Sequence, residues 1–189
     1  MHWENIKHIS NKIASRLALL RRVRRYLTED SAKLLANALI LPYYDYCCSA
    51  WTNCNQGVKD TLIKQHKQMA RVVLQTDILT PTTEMFRRLK WIDMEKRWQF
   101  QKSKLMFDTL NDNAPSYLQD LFTSSASTHR YSTRNAESRG LIVPKAKTEN
   151  ERKAFSFEGA IIWNNLPSGV RNAQTKQTFC NHYLKMFKR

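Results

Sequence analysis

The sequence predicts a mainly α-helical fold, in which a helical bundle is followed by a smaller, irregular α segment with minor β structure. Apolar residues recur at three- and four-residue steps over long stretches of the first 110 residues, which is the period of an amphipathic helix. The 189 residues include only 4 Gly and 5 Pro, which disfavours a turn-rich β-sandwich. A hydrophobic content of 42% supplies enough apolar side chains for a buried core.

The first predicted helix covers about residues 5–26 and carries an apolar stripe that faces the core. Basic residues gather on another face of the same helix, whereas Arg24 projects toward the apolar side. The prediction is therefore a basic ridge backed by core. The stripe consists of Ile6, Ile9, Ile13, Leu17 and Leu20, and the ridge consists of Lys7, Arg21, Arg22 and Arg25.

Four more helices are predicted before residue 111. Thr28 is the predicted N-cap of the second helix, with Glu29 and Asp30 in its acidic first turn, and Pro42 ends or kinks that helix. The third helix is predicted over about residues 58–73, and the fourth opens at Pro81. Asp93 is the predicted N-cap of the fifth, which we expect to be largely buried and to end at the turn formed by residues 111–116.

The predicted domains are a helical domain at residues 1–110, a turn and polar linker at 111–139, and a small C-terminal subdomain at 140–189. Composition changes after Phe122 to a polar stretch with few apolar residues, which is typical of a loop or extended arm. Within the last domain, the pattern indicates short strands at residues 141–144 and 154–157 and short helices at 160–163 and 178–187.

Charge indicates a polyanionic partner. The chain has 31 Lys and Arg against 16 Asp and Glu, a formal net charge of +15, whereas an ordinary small domain carries roughly 2 to 8. The excess is spread over both halves, with 19 basic and 10 acidic residues up to residue 110 and 12 and 6 after it. Nucleic acid is the first candidate. The alternative is that the charge only keeps the protein in solution.

Three groups of residues are candidates for binding nucleic acid. The ridge and a second basic cluster suit phosphates, which cationic side chains bind with strong salt dependence, unless these are only solvated helix faces. The HRYSTR segment combines an aromatic ring with guanidinium groups, which suits stacking on an unpaired base. The alternative is a loop pinned down by Tyr131. The second cluster consists of Arg87, Arg88, Lys90, Lys96 and Arg97, and the segment provides His129, Arg130, Tyr131 and Arg134.

Three landmarks in order are LILPYYDYCCSAW at residues 39–51, HRYSTR at 129–134 and IIWNNLP at 161–167. Together with Phe86, Leu89, Trp91 and Arg97, which fit an "F..L.W....R" pattern, their order resembles the region downstream of the catalytic domain in reverse transcriptases of LINE-type non-LTR retrotransposons. The resemblance covers the whole chain. It implies the helical thumb and the C-terminal segment of an RNA-directed DNA polymerase.

The resemblance does not extend to catalysis. Nucleotidyl transfer with two metal ions needs an adjacent aspartate pair and a further aspartate, and no Asp-Asp occurs here. We therefore expect a non-catalytic fragment without a cofactor, with Mg²⁺ bound only by the missing catalytic domain. The expected partners are RNA or DNA and an upstream palm and fingers. The alternative is a protein-interaction or structural module from a decayed element; a nuclease is disfavoured because the acidic residues lack a suitable spacing.

Metal, membrane and secretion signals are weak. Cys47, Cys48, Cys54 and Cys180 indicate reduced thiols in a nuclear or cytoplasmic protein that is not secreted. The spacing Cys47-Cys48-x5-Cys54 lacks a second paired cluster, and His66 could be a fourth ligand only if the fold brings it close, so no zinc site is predicted. No apolar run approaches the ~20 residues of a membrane-spanning helix, so we expect no membrane partner.

Overall fold

The computed structural model describes residues 2–52, 56–125 and 139–186, with side chains from residue 6 onward. The described residues are mainly helical, as the sequence predicts. They form two compact units, Met1–Trp98 and Gln99–Arg189. Within the described ranges, no helix combines the length and the apolar character that crossing a membrane requires.

The first unit consists of helices joined by short turns. The predicted helix starts are confirmed, because the Thr28 side chain accepts a hydrogen bond from the Ser31 N–H and Asp93 accepts one from the Lys96 N–H. The helices are α1 (His2–Val23, continued by a 3₁₀ turn at Arg24–Tyr26), α2 (Glu29–Leu39), α3 (Leu41–Asp45), α4 (Cys48–Trp51), α5 (Gln56–Leu74), α6 (Thr82–Leu89) and α7 (Met94–Leu110).

The core of the first unit contains the predicted stripe of α1. Its members Ile6, Ile13, Leu17 and Leu20 are buried, and Ile9 packs against them while partly exposed. On α2 the buried face is built from small side chains. Ala32 and Ala36 are fully buried, whereas the larger Leu34 and Leu39 are exposed.

The second unit packs the C-terminal part of α7 with short helices. Its core includes Met106 and Phe107 of α7 together with Trp163 and Phe179. The buried ammonium group of Lys102 pairs with both carboxylate oxygens of Glu158 at 2.7 Å. The remaining helices are α8 (Ser116–Gln119), α9 (Glu149–Arg152), α10 (Phe155–Asn164), α11 (Ser168–Arg171) and α12 (Lys176–Lys185).

Secondary structure in the last 50 residues differs from the sequence prediction at two sites. The predicted strand at residues 154–157 is wrong, because α10 begins at Phe155 with Ala154 as its extended N-cap. Leu141 forms one isolated antiparallel bridge with Ser124 in place of the predicted strand at 141–144. The predicted helices at 160–163 and 178–187 correspond to α10 and α12. Both predicted domain bounds, 110 and 139, fall inside the second unit.

Candidate nucleic-acid interface

Two of the predicted ridge residues line a basic groove in the first unit. The groove has a volume of about 350 Å³ and lies between the C-terminal ends of α1 and α5. Arg21 and Arg25 are exposed at its edge, and Arg71 is half-buried within it. No acidic residue contributes to the lining, which consists of Arg21, Arg24, Arg25, Arg71, Val72, Gln75 and Thr76.

Arg24 forms the floor of this groove and is bound within the fold. Its Nε donates to the carbonyl oxygens of Val72 at 3.2 Å and Val73 at 2.9 Å, and its Nη1 donates to that of Leu27 at 2.6 Å. The residue is 8% exposed. Its predicted projection toward the apolar side is thus confirmed, and its charge serves to close the C-terminal end of α5.

Helix direction brings these arginines together. The Gln65 side chain donates to the Ser10 carbonyl oxygen at 3.1 Å, while Arg24 contacts Val73, so α1 and α5 run in the same direction. Helix C-termini carry a partial negative charge that cationic side chains neutralise. Arg24 already satisfies carbonyl groups there, whereas Arg21 and Arg25 donate to no acceptor among the described residues. The Arg25 guanidinium lies 4.7 Å from the centre of the Tyr26 ring, and the N–H groups of both arginines are available to an anion.

Arg71 is the groove residue that sequence reasoning did not select. Its Nη2 lies 3.4 Å from the Ile78 carbonyl oxygen, and its buried Nε has no hydrogen-bond partner. The sequence shows Arg71 as a basic residue near the end of a predicted helix. Only the packing of α1 against α5 in the structure shows that it lies in the same groove as Arg21 and Arg25. Arg22 and Lys7 are exposed outside the groove lining. Lys7 lies about 21 Å from Arg21 along the helix axis.

The second predicted cluster divides into paired and unpaired residues. Arg97 forms a bidentate ion pair with Asp45, with both N···O distances 2.6 Å. Arg88 pairs in the same way with Glu29, and Lys96 lies 3.4 Å from Asp93. Arg97 and Arg88 therefore join their helices to α3 and α2, whereas the Lys96–Asp93 pair is local to the start of α7. Arg87 and Lys90 are exposed and have no carboxylate partner among the described residues.

Helix α6, which carries Arg87 and Arg88, lies beside the basic groove. The groove residue Thr76 contacts the Met85 sulfur of α6 at 3.5 Å. On the other side, Arg88 pairs with Glu29, two residues after the Leu27 carbonyl that accepts from Arg24. Helix α6 therefore contacts the groove residue Thr76 through Met85 and pairs with the start of α2 through Arg88.

The HRYSTR residues His129, Arg130, Tyr131 and Arg134 lie outside the described residues. The chain on either side of them is paired: Ser125 N–H donates to the Gly140 carbonyl oxygen at 3.0 Å, and Ile142 N–H to that of Thr123 at 2.9 Å. Residues 125 and 140 are therefore neighbours.

The IIWNNLP segment holds together the two backbone segments, residues 123–125 and 139–142, that flank the HRYSTR region. Trp163 is fully buried, stacks on Phe179, and donates from Nε1 to the Arg139 carbonyl oxygen at 2.8 Å. Asn164 makes two bonds to Leu141, accepting from its N–H at 2.9 Å and donating to its carbonyl at 2.8 Å. Trp163 is therefore a core residue of the second unit. The two hydrogen bonds from Asn164 to Leu141 were not predicted, because the sequence around Asn164 does not show which distant residue its side chain contacts.

His66 lies in an aromatic cluster of the first unit's core. It stacks on Trp91 with ring centroids 5.4 Å apart and contacts Tyr44 and Phe86. Burial, reinforced by the Arg97 charge, lowers its pKa to about 3, so it is neutral at physiological pH. Cys54 lies outside the described residues. Among the residues that the structure does describe, no three His, Cys, Asp or Glu side chains group as metal ligands.

Comparison with known proteins found no relative of this chain. No protein-family model, curated protein or solved structure matches the chain.

Proposed function

We propose that this chain binds nucleic acid through the phosphate backbone, with the basic groove of the first unit as the binding site. The observation that carries the proposal is the convergence of Arg21, Arg25 and Arg71 on a groove without an acidic residue. Guanidinium groups bind phosphate oxygens through two parallel N–H donors, and this recognition does not depend on base sequence. Arg87 on α6 and Lys90 directly after it are two further exposed cations of the first unit.

The energetics of the groove favour an anion over an empty state. Like charges that share a groove repel one another, and no carboxylate offsets Arg21, Arg25 or Arg71 among the described residues. A phosphate chain relieves that repulsion and releases its condensed counterions, which supplies most of the affinity at low salt. The net charge of +15 adds long-range attraction to any polyanion.

The wider role follows from the resemblance to LINE-type reverse transcriptases. We propose a non-catalytic, thumb-like part of such a polymerase, which holds template and primer while an upstream palm and fingers perform the metal-dependent chemistry. The spaced landmarks and the helical first unit support this role. A nuclear or cytoplasmic location suits it, because both compartments contain RNA.

Fluorescence anisotropy with labelled RNA hairpin, RNA–DNA hybrid and duplex DNA tests the proposal. We expect binding to all three that weakens steeply between about 50 and 200 mM salt. In the double variant Arg21→Glu, Arg25→Glu, affinity should fall for all three ligands, and the slope of log K against log salt should become shallower by about 0.9 per lost phosphate contact. Circular dichroism should show unchanged helix content.

A charge-matched control separates the groove from net charge. Lys145→Glu with Lys185→Glu makes the same change in charge at exposed positions in the second unit. If the groove is the site, this control retains more affinity than the Arg21, Arg25 variant. Equal losses in the two variants would mean that only overall charge matters, and salt-insensitive binding by the unmodified chain would refute backbone recognition.

A protein-interaction module is the second candidate function. The observation that favours it is the exposure of large apolar side chains in the first unit, among them Leu34 at 68%, Leu39 at 53% and Tyr46 at 73%. Surfaces of this kind are typical of protein contacts. Absence of nucleic-acid binding at low salt would favour this candidate.

A further inference from the structure

A second groove in the first unit differs from the basic groove in its chemistry. It has a volume of about 420 Å³ and lies between α1 and the α2–α3 corner. Its lining is apolar and aromatic with one cation and no acidic residue: Ile9, Arg16, Ala38, Leu39, Pro42, Tyr43 and Tyr46. The size falls within the roughly 300–1,000 Å³ of small-ligand sites.

Two tyrosines give this groove flat surfaces. Tyr46 follows α3 and is 73% exposed, and its position is fixed because its carbonyl oxygen accepts from the buried Trp51 indole at 2.8 Å. Tyr43 is half-buried against the core. An exposed ring on an anchored backbone loses little entropy when a planar group stacks on it, because a tyrosine has only two flexible side-chain angles.

Arg16 gives the groove a fixed positive charge. Its guanidinium lies 4.4 Å from the centre of the Tyr43 ring, and its single hydrogen bond is a long one of 3.5 Å to the Lys12 carbonyl oxygen. Among the described residues, no carboxylate forms an ion pair with it. The groove therefore presents flat apolar surface beside an available cation. A matching ligand has a planar apolar face and a negative charge close enough together to contact a tyrosine ring and Arg16 at the same time.

An unpaired nucleotide has that combination, with a base to stack and a phosphate to pair with the guanidinium. We propose that this groove, the Tyr46 groove, receives one unpaired base of a single-stranded nucleic acid, with the base against Tyr46 and the adjoining phosphate at Arg16. The inference depends on the proposed function, because the basic groove would supply the backbone affinity that brings the strand to the protein. It adds a preference for single strands that backbone contacts alone do not give.

The groove is not explained equally well by other occupants. A second copy of this chain would bring another Arg16 and another net charge of +15 to the same place, and like charges oppose such a contact. A free nucleotide would lack the backbone phosphates that the basic groove binds. The strand is the occupant for which both grooves act together.

Two single-stranded RNAs of equal length test the inference, one with all its bases and one with abasic sites that keep the phosphates. We expect the unmodified protein to prefer the base-containing strand by at least about five-fold, since stacking on one aromatic side chain supplies that much. Tyr46→Ala should reduce this preference, whereas Tyr46→Phe should keep it. Arg16→Ala should weaken the binding of both strands, because the abasic strand keeps the phosphate that Arg16 binds. A fluorescent adenine analogue in the strand should be quenched on binding, and less so with Tyr46→Ala.

Tyr117→Ala is the matched control, because this tyrosine is 67% exposed and lies in the other unit. It should leave the preference unchanged. Each of the following would overturn the inference: equal affinity for the two strands, a preference unaffected by Tyr46→Ala, a mononucleotide that binds as tightly as the strand, or a dimer that Tyr46→Ala dissociates. Equal, salt-sensitive affinity would refute this inference alone. No binding of either strand at low salt would refute the proposed function as well.

Discussion

The Arg24 guanidinium donates to the Val73 carbonyl oxygen at 2.9 Å and thereby joins the end of α1 to the end of α5. These two helix ends carry the arginines of the basic groove. A buried charge is costly unless its donors are satisfied, and here three backbone carbonyls satisfy them. One arginine is therefore used to build the site while its neighbours Arg21 and Arg25 remain available to a ligand.

Arg24→Ala should destabilise the first unit far more than the same substitution at a neighbouring exposed arginine. The change removes charge-assisted hydrogen bonds and leaves buried carbonyl groups without donors, so we expect a loss of at least about 2 kcal/mol in the free energy of unfolding. Urea unfolding followed by circular dichroism measures it. Arg22→Ala, two residues away and exposed, is the control and should change stability by less than about 0.5 kcal/mol. Similar values for both variants would contradict a structural role for Arg24.

His66 predicts a specific dependence of stability on pH. Its pKa is lowered to about 3 in the folded state, while the unfolded side chain titrates near 6.5. Between those values the unfolded chain binds a proton that the folded chain does not, so stability is complete above about pH 6.5 and falls as pH decreases, by roughly 1 kcal/mol per pH unit. The His66→Phe variant keeps an aromatic ring in the cluster and should lose this part of the slope.

The measurement for His66 is urea unfolding at several pH values from 7 down to the onset of acid unfolding. Carboxylates contribute to acid unfolding in both proteins, so the difference between the unmodified chain and His66→Phe is the relevant quantity. Direct titration by nuclear magnetic resonance offers a second readout, in which the imidazole should stay neutral well below pH 6. An imidazole that titrates near its ordinary pKa would show that His66 is not buried in this way.

The sequence predicts local features of the first unit well and long-range pairing poorly. Repeating apolar residues were enough to predict α1 and to direct Arg24 inward, because helical geometry fixes which residues share a face. The pairs Arg88–Glu29 and Arg97–Asp45 join residues more than 50 positions apart. Charge periodicity on one helix cannot show that a carboxylate from another helix meets it.

Errors in the second unit have a similar physical cause. Phe155 and Phe157 alternate as in a strand, and that alternation produced the wrong prediction at 154–157. In the fold, neighbouring turns satisfy the backbone: Phe157 and Glu158 N–H groups both donate to the Ala154 carbonyl oxygen, which starts α10. Tertiary packing decides between helix and strand where a short apolar run suits both.

The last prediction concerns Asn164 and the backbone pairing between residues 123–125 and 139–142. Asn164→Ala removes both side-chain bonds to Leu141 and leaves its backbone N–H and carbonyl without these partners, so we expect a loss of about 2 kcal/mol in the stability of the second unit. The Leu141 amide should exchange with solvent faster in the variant, as followed by hydrogen exchange. Asn165→Ala, at an exposed position one residue later, should leave that exchange rate unchanged. If Asn164→Ala also leaves the Leu141 exchange rate unchanged, then Trp163 and the Ser125–Gly140 hydrogen bond hold the two backbone segments together without the Asn164 side chain.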